Sequence, residues 1–217
     1  MELRVVDDPC AAAGLWLARR LRDAVRRRGT ASLAVSGGSS APPLFEALLE
    51  QDVPWDHIAV WQVDERVAPD GHPGRNATQL AFLPCRVELM AVTDDDLDAA
   101  ARQYAAGLPE RFDVAHLGLG DDGHTASWPP GDPVVDSNLA CDVVGEFNGF
   151  RRMTLTPLAV NRARSRLVLT FGSAKAPMVR RWVRGDRSMP IARLRRTDTW
   201  AVIDPAAAGD LADPSAR

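Results

Sequence analysis

The chain has 217 residues, 46% of them hydrophobic and 25% charged, with a formal net charge of −3. That length suits one α/β domain with a sizeable core, and the charge argues against nucleic-acid binding, which needs an excess of positive charge on one face. No stretch approaches the roughly 20 apolar residues that span a bilayer, and the opening Met1-Glu2-Leu3-Arg4 lacks the basic-then-apolar layout of a secretory signal, so the expected compartment is the cytoplasm.

Ala11 to Arg28 reads as an amphipathic helix, with Leu17, Leu21, Ala24 and Val25 on one face. It ends on Arg26-Arg27-Arg28, where cations suit the helix dipole. Ser32 to Val35 reads as a short buried strand, ended by Ser36-Gly37-Gly38-Ser39-Ser40. Pro42 and Pro43 open a second helix through Leu49. Ile58 to Val63 is a strand running into a charged loop, Asp64-Glu65-Arg66, with His72 and Asn76 downstream. Asp94-Asp95-Asp96 forms the acidic start of a helix to about Leu108. Val114 to Leu119 is a further strand, followed by a Gly- and Pro-rich loop to about Gly131. Strands are expected near Met153 to Leu155 and Leu167 to Phe171, a helix from about Ser173 to Arg184, and a last strand at Thr199 to Ile203. Apolar runs alternating with helix-length amphipathic stretches define an α/β fold with a mainly parallel sheet. With no internal repeat, linker or clean boundary, residues 1–217 read as one domain.

Cys10, Cys85 and Cys141 are far apart and odd in number, so neither a disulfide framework nor a zinc knuckle is indicated. No His, Cys and carboxylate set has metal-ligand spacing. Of 26 basic residues, 25 are Arg and one, Lys175, is Lys. A lone lysine fits a site that needs a compact ammonium, such as a phosphate contact, although chance gives the same composition.

Three loops carry residues suited to chemistry. Ser36-Gly37-Gly38-Ser39 sits between a strand and a helix. Its glycines let the backbone turn amides toward one point, and the helix start adds partial positive charge. No Gly-Lys-Ser/Thr follows, so it is not a Walker loop, and an ordinary Gly-Ser turn has the same letters. Asp64-Glu65-Arg66 lies just past a strand end, where ligands bind in open α/β sheets, but three adjacent charges also suit a surface salt-bridge knot. Gly118-Leu119-Gly120-Asp121-Asp122-Gly123-His124-Thr125-Ala126-Ser127 happens to fit the dinucleotide spacing G-x-G-x-x-G. The long helix such a site requires would be broken at Pro129-Pro130. A His two residues beyond an Asp is more telling there, since imidazole titrates near neutrality and a carboxylate fixes its tautomer. His57, at a helix-to-strand join, and His116, within a strand, read as satisfied structural histidines. No G-x-S-x-G nucleophile elbow is present.

Taken together, these segments resemble the 6-phosphogluconolactonase family, related to glucosamine-6-phosphate deaminases and isomerases. Ser36-Gly37-Gly38-Ser39 resembles its SGGST-P phosphate loop, and Trp61 to Val67 with His72 and Asn76 its DER-V…H…SN segment. Leu117 to Ser127 resembles its LGxGxDGHTAS signature. Arg152-Met153-Thr154-Leu155-Thr156 and Gly172-Ser173-Ala174-Lys175 resemble its R-x-T-L-T and G-x-x-K segments. Three departures stand out. Ser40-Ala41 replaces Thr-Pro and should leave the amides usable. Gly74-Arg75-Asn76 replaces an Asp-Ser-Asn-like stretch, which puts that loop's contacts in question. Trp128-Pro129-Pro130 replaces Leu-Phe-Pro and is expected to reshape the wall beside His124.

The resemblance implies a Rossmann-like α/β/α sandwich that hydrolyses 6-phospho-D-glucono-1,5-lactone to 6-phosphogluconate in the oxidative pentose phosphate pathway. It implies phosphate contacts from Ser36, Gly37, Gly38, Ser39, Arg152 and Lys175, further substrate contacts from Asp64 and Arg66, His124 as base and Asp122 as its orienting carboxylate. The chemistry needs no metal and no redox cofactor, and the partner is a small sugar phosphate lactone, with no signal in the sequence for oligomeric state. Deaminases typically follow the histidine with an Ile-Ala-Phe-Asn-Glu-Pro-like run, whereas this chain reads Thr125-Ala126-Ser127-Trp128-Pro129 and lacks that glutamate. A sugar-phosphate sensor on the same fold would need a DNA-reading module, and no helix-turn-helix segment precedes the phosphate loop.

Overall fold

A computed structural model describes residues 1–212. In chain order the elements are β1 (Glu2–Val5), α1 (Pro9–Arg28), β2 (Ala31–Val35), α2 (Ala41–Leu49), β3 (Ile58–Gln62), β4 (Asp64–Arg66), β5 (Arg86–Glu88) and α3 (Leu97–Ala106). They continue with β6 (Val114–Leu117), β7 (Cys141–Phe147), β8 (Phe150–Leu155), α4 (Pro157–Val160), β9 (Ser165–Thr170), α5 (Ala176–Val183), β10 (Thr199–Ile203) and α6 (Pro205–Ala208).

Local chemistry sets the ends of these elements. The Asp8 carboxylate accepts from the Ala11 amide at 2.9 Å and Pro9 takes the first turn, so α1 starts two residues earlier than its apolar stripe suggests. Gly29 ends it in the left-handed region, returning its amide to Val25. Asp96 caps α3 through the Ala99 amide at 2.9 Å, so Asp94 and Asp95 lie ahead of the helix rather than in its first turn.

Seven strands form one parallel sheet in the order β1-β10-β9-β6-β2-β3-β5. From β2 the chain steps outward through β3 to β5, then returns to the other side of β2 to lay down β6, β9 and β10. The strand order therefore reverses between β2 and β6, and ligands of open α/β sheets bind outside the carboxyl ends at such a reversal. One face packs on α1 and α2 through Leu17, Leu21, Leu44, Phe45 and Leu48. The other carries α3, α5 and a three-stranded antiparallel sheet, β4-β8-β7, with Met153, Leu155 and Trp128 buried among them.

That second sheet corrects the expectation of a charged loop at residues 64–66. Asp64, Glu65 and Arg66 are a strand, paired with Thr154, Met153 and Arg152 of β8. Trp128 also departs from expectation. It is fully buried and donates to the Leu155 carbonyl at 2.8 Å, so it is part of the core and not of the wall beside His124.

Candidate active site

The loops after β2, β6 and β9, together with β4 and the start of β8, enclose a cleft of about 200 Å³ at the carboxyl end of the sheet. Ser36, Gly37, Gly38, Ser39, Asp64, Arg66, His124, Arg152 and Lys175 all line it, and Asp122 stands behind His124. Two segments some 80 residues apart in sequence meet because their strands are neighbours at the reversal. Val35 of β2 is in register with His116 of β6, and the Ser36 amide extends the ladder by donating to the His116 carbonyl at 3.1 Å.

The loop after β2 is built for close approach. A Cβ on Gly37 would lie 2.1 Å from Asn76 Oδ1, and Gly38 has φ +100°, a region L side chains rarely adopt. The Gly38 amide donates to Gln79 Oε1 at 3.0 Å, so it fixes the loop rather than standing ready for an anion. Ser36 Oγ is different. It is buried and has no hydrogen-bond partner among the described residues. Buried polar groups are nearly always paired, so this unpaired hydroxyl stands out among the residues that line the cleft.

The loop after β6 presents the imidazole. His124 Nδ1 is 2.5 Å from Asp122 Oδ1, and the same oxygen accepts from the His124 amide at 3.0 Å. Partial burial pushes the Asp122 carboxyl up, but the bonds from the His124 amide and ring outweigh it and hold it below the usual carboxylate range. A carboxylate only accepts, so Nδ1 carries the proton and Nε2 offers its lone pair. Gly120 lies against the ring, and Phe147 packs edge-on to it with centroids 5.1 Å apart. Arg152 in turn stacks over Phe147 at 5.1 Å and donates Nε to the Phe147 carbonyl at 3.0 Å.

Asp64 is buried at the edge of the cleft. Its Oδ2 accepts from Ser127 Oγ at 2.7 Å, which ties β4 to the His124 loop. Burial raises its pKa, against the lowering effect of Ser127, Arg66 and Arg152. Arg66, directly opposite Arg152 across the two strands, gives Nη1 to Gly74 O and Asn76 Oδ1, both at 2.7 Å. The change at residues 74–76 thus leaves the Asn76 contacts in place. Lys175, in the turn just before α5, sits 2.5 Å from Asp121.

Sequence reasoning passed over Glu65, which organises this wall. It is fully buried, accepts from the amides of Arg66, Asn76 and Ala77 and from Gln62 Nε2 at 2.7 to 2.8 Å, and pairs with buried Arg75 at 3.1 Å. Its place inside a charged triplet hid it. The expectation for His116 is also corrected. It is fully buried, but neither ring nitrogen has a partner among the described residues, and burial lowers its pKa to about 4.

A larger hollow of about 640 Å³ lies at the amino end of the strands. Its central carboxylate, Asp113, is satisfied by Arg28 at 2.5 Å, Arg164 at 3.4 Å and the Ser32 amide at 2.9 Å, so it lacks the orphaned donors of the smaller cleft.

Fold and cleft define an α/β protein that sets a carboxylate-held imidazole against a Gly- and Ser-rich loop at the reversal of a parallel sheet. The chain belongs to the family described as Glucosamine-6-phosphate isomerases/6-phosphogluconolactonase, which matches residues 6–203. It is 37% identical over 175 residues to a 6-phosphogluconolactonase of Synechocystis sp., covering 72% of each chain. It is 34% identical over 234 aligned positions to one of Streptomyces coelicolor, covering 92% of this chain and 89% of the relative. The structure of a 6-phosphogluconolactonase from Shewanella baltica superposes with a TM-score of 0.85 at 25% identity, over 94% of this chain and 97% of that one. A monomeric glucosamine-6-phosphate deaminase shares the fold, with a TM-score of 0.82 at 19% identity over 96% of this chain and 99% of that one.

Proposed function

We propose that the chain is a cytoplasmic 6-phosphogluconolactonase that hydrolyses 6-phospho-D-glucono-1,5-lactone to 6-phosphogluconate, a step of the oxidative pentose phosphate pathway, with His124 as general base. The observation that carries this reading is the meeting of the His124–Asp122 pair and the Ser36–Ser39 loop in one cleft. The relatives' names supply the substrate. Among the described residues, no helix is long and apolar enough to cross a membrane.

In this mechanism Ser36, Gly37, Ser39, Arg152 and Lys175 hold the phosphate and so place the lactone carbonyl beside His124. Nε2 takes a proton from a water as its oxygen bonds to the carbonyl carbon, giving a tetrahedral oxyanion. Collapse re-forms the carbonyl and breaks the bond to the ring oxygen, which receives the proton back from the imidazolium. Asp122 stabilises that imidazolium and fixes the tautomer. Arg66, with Nη1 committed to Gly74 and Asn76, contributes its positive charge near the oxyanion and Asp64. The phosphate contacts act mainly by converting encounter into directed attack.

The test is hydrolysis of freshly made 6-phosphogluconolactone, with spontaneous opening subtracted. Wild type is expected to accelerate it. His124→Ala should lose about 10²- to 10⁴-fold in kcat, and Lys175→Ala should chiefly raise KM. Glucosamine 6-phosphate should release no ammonia. Full turnover in His124→Ala would overturn the assignment of the base.

A further inference from the structure

Lys175 is the chain's one lysine, and its ammonium already has a partner of the substrate's sign: Nζ is 2.5 Å from Asp121 Oδ1. The two residues come from different loops, after β6 and after β9, and both line the cleft. The lysine side chain is 22% exposed and the aspartate 70%, so the carboxylate is the more solvent-exposed member of the pair. The neighbouring carboxylate, Asp122, is engaged with His124 and is not available for this role.

We propose that Asp121 is an internal competitor for phosphate at Lys175, one that loosens the cleft's hold on product. This rests on the reading of Lys175 as a phosphate contact. Substrate and product of the lactonase reaction carry the same phosphate group, so any affinity invested in that group is retained after ring opening and slows release. A carboxylate one loop away, attached to the protein and always at hand, takes the ammonium back as the phosphate leaves. A phosphate monoester brings about −1.5 to −2 charges and three acceptor oxygens, enough to displace a single exposed carboxylate. The same competition weakens bystander anions at the site, inorganic phosphate among them. Uniformly tighter binding lowers KM without raising kcat, so the pair acts on KM and on product inhibition rather than on the chemical step.

The experiment is calorimetric titration of the whole chain with inorganic phosphate and with 6-phosphogluconate, at low salt, in wild type, Asp121→Asn, Lys175→Met and the double variant. Asp121→Asn is expected to tighten both ligands by about 3-fold, the scale of a largely exposed ion pair, to lower KM and to strengthen product inhibition. In the Lys175→Met background the same change should leave affinity unmoved. Unchanged or weaker binding in Asp121→Asn overturns the proposal. So does equal tightening with and without Lys175, which would mean that only the bulk field of one negative charge is at work. Titration requires no turnover. Tightened binding in a chain without lactonase activity would sink the proposed reaction and leave the competitor standing, and an active lactonase with unmoved affinity would do the reverse.

Discussion

Gly120 supports the imidazole of His124 so closely that a Cβ there would lie 2.0 Å from Nδ1 and 2.1 Å from Cε1. No neighbouring atom can yield enough, because the clash is with the ring itself. Gly120→Ala must therefore swing the imidazole away from both Asp122 and the cleft. A displacement of about 1 Å at a reacting group costs on the order of 10²-fold, and a loss of at least that size in kcat/KM is expected. Thermal unfolding run alongside should move little, since the ring is partly exposed and Phe147, which packs edge-on to it, is itself only half-buried.

Asp122→Asn keeps the size of the side chain and removes the charge. An amide can present its NH2 group to Nδ1, which favours the tautomer whose Nε2 is protonated and cannot act as a base. The expected result is a fall in kcat smaller than that of His124→Ala, with KM for the phosphorylated lactone nearly unchanged. Steady-state kinetics of the two variants side by side checks the order.

Glu65→Ala tests the buried wall. It removes the acceptor of three amides and of Gln62, and it takes the buried carboxylate from the Arg75 guanidinium, which is 4% exposed and keeps only Ala68 O and the exposed Asp70 as partners. Breaking a buried pair by deleting one partner costs about 3–5 kcal/mol. Urea unfolding should show a loss of that order. A loss below about 1 kcal/mol would contradict the role given to this carboxylate.

His116 predicts a dependence of stability on acid. Burial lowers its pKa from the ordinary 6.5 to about 4. The unfolded chain takes up a proton as the pH falls past 6.5, and the folded chain does not until about 4, so acid favours unfolding through that window. The full effect of this one residue is about 3 kcal/mol. His116→Leu should flatten the stability profile between those limits, measured as urea midpoints at a series of pH values.

Much of the sheet was legible because its strands are apolar and its helices carry apolar stripes. The runs at Ser32 to Val35 and Thr199 to Ile203 fall within one residue of β2 and β10. What escaped notice was structure defined by partners. β4 is three charged residues with no alternation to read, and it becomes a strand only because β8 lies beside it. β7 is interrupted by Gly145 and Glu146 at an irregularity between Val144 and Phe147, which hides its period. The same distinction separates the site residues. Motif letters picked out His124, Lys175 and the loop at 36–39, while Glu65, Gln79 and Ser127 act through contacts that exist only once the loops are folded against one another.

The reversal between β2 and β6 makes the cleft a joint possession of two halves of the polypeptide. Everything up to about residue 90 supplies the Ser36–Ser39 loop and β4, while His124, Arg152 and Lys175 belong to the carboxyl-terminal half. Separate fragments cut near that point would each be inert, and mixing them would restore turnover only where Val35 again finds its place beside His116. Catalytic recovery in such a complementation assay would report the re-pairing of the three strand pairs that cross the cut, β1 with β10, β2 with β6 and β4 with β8.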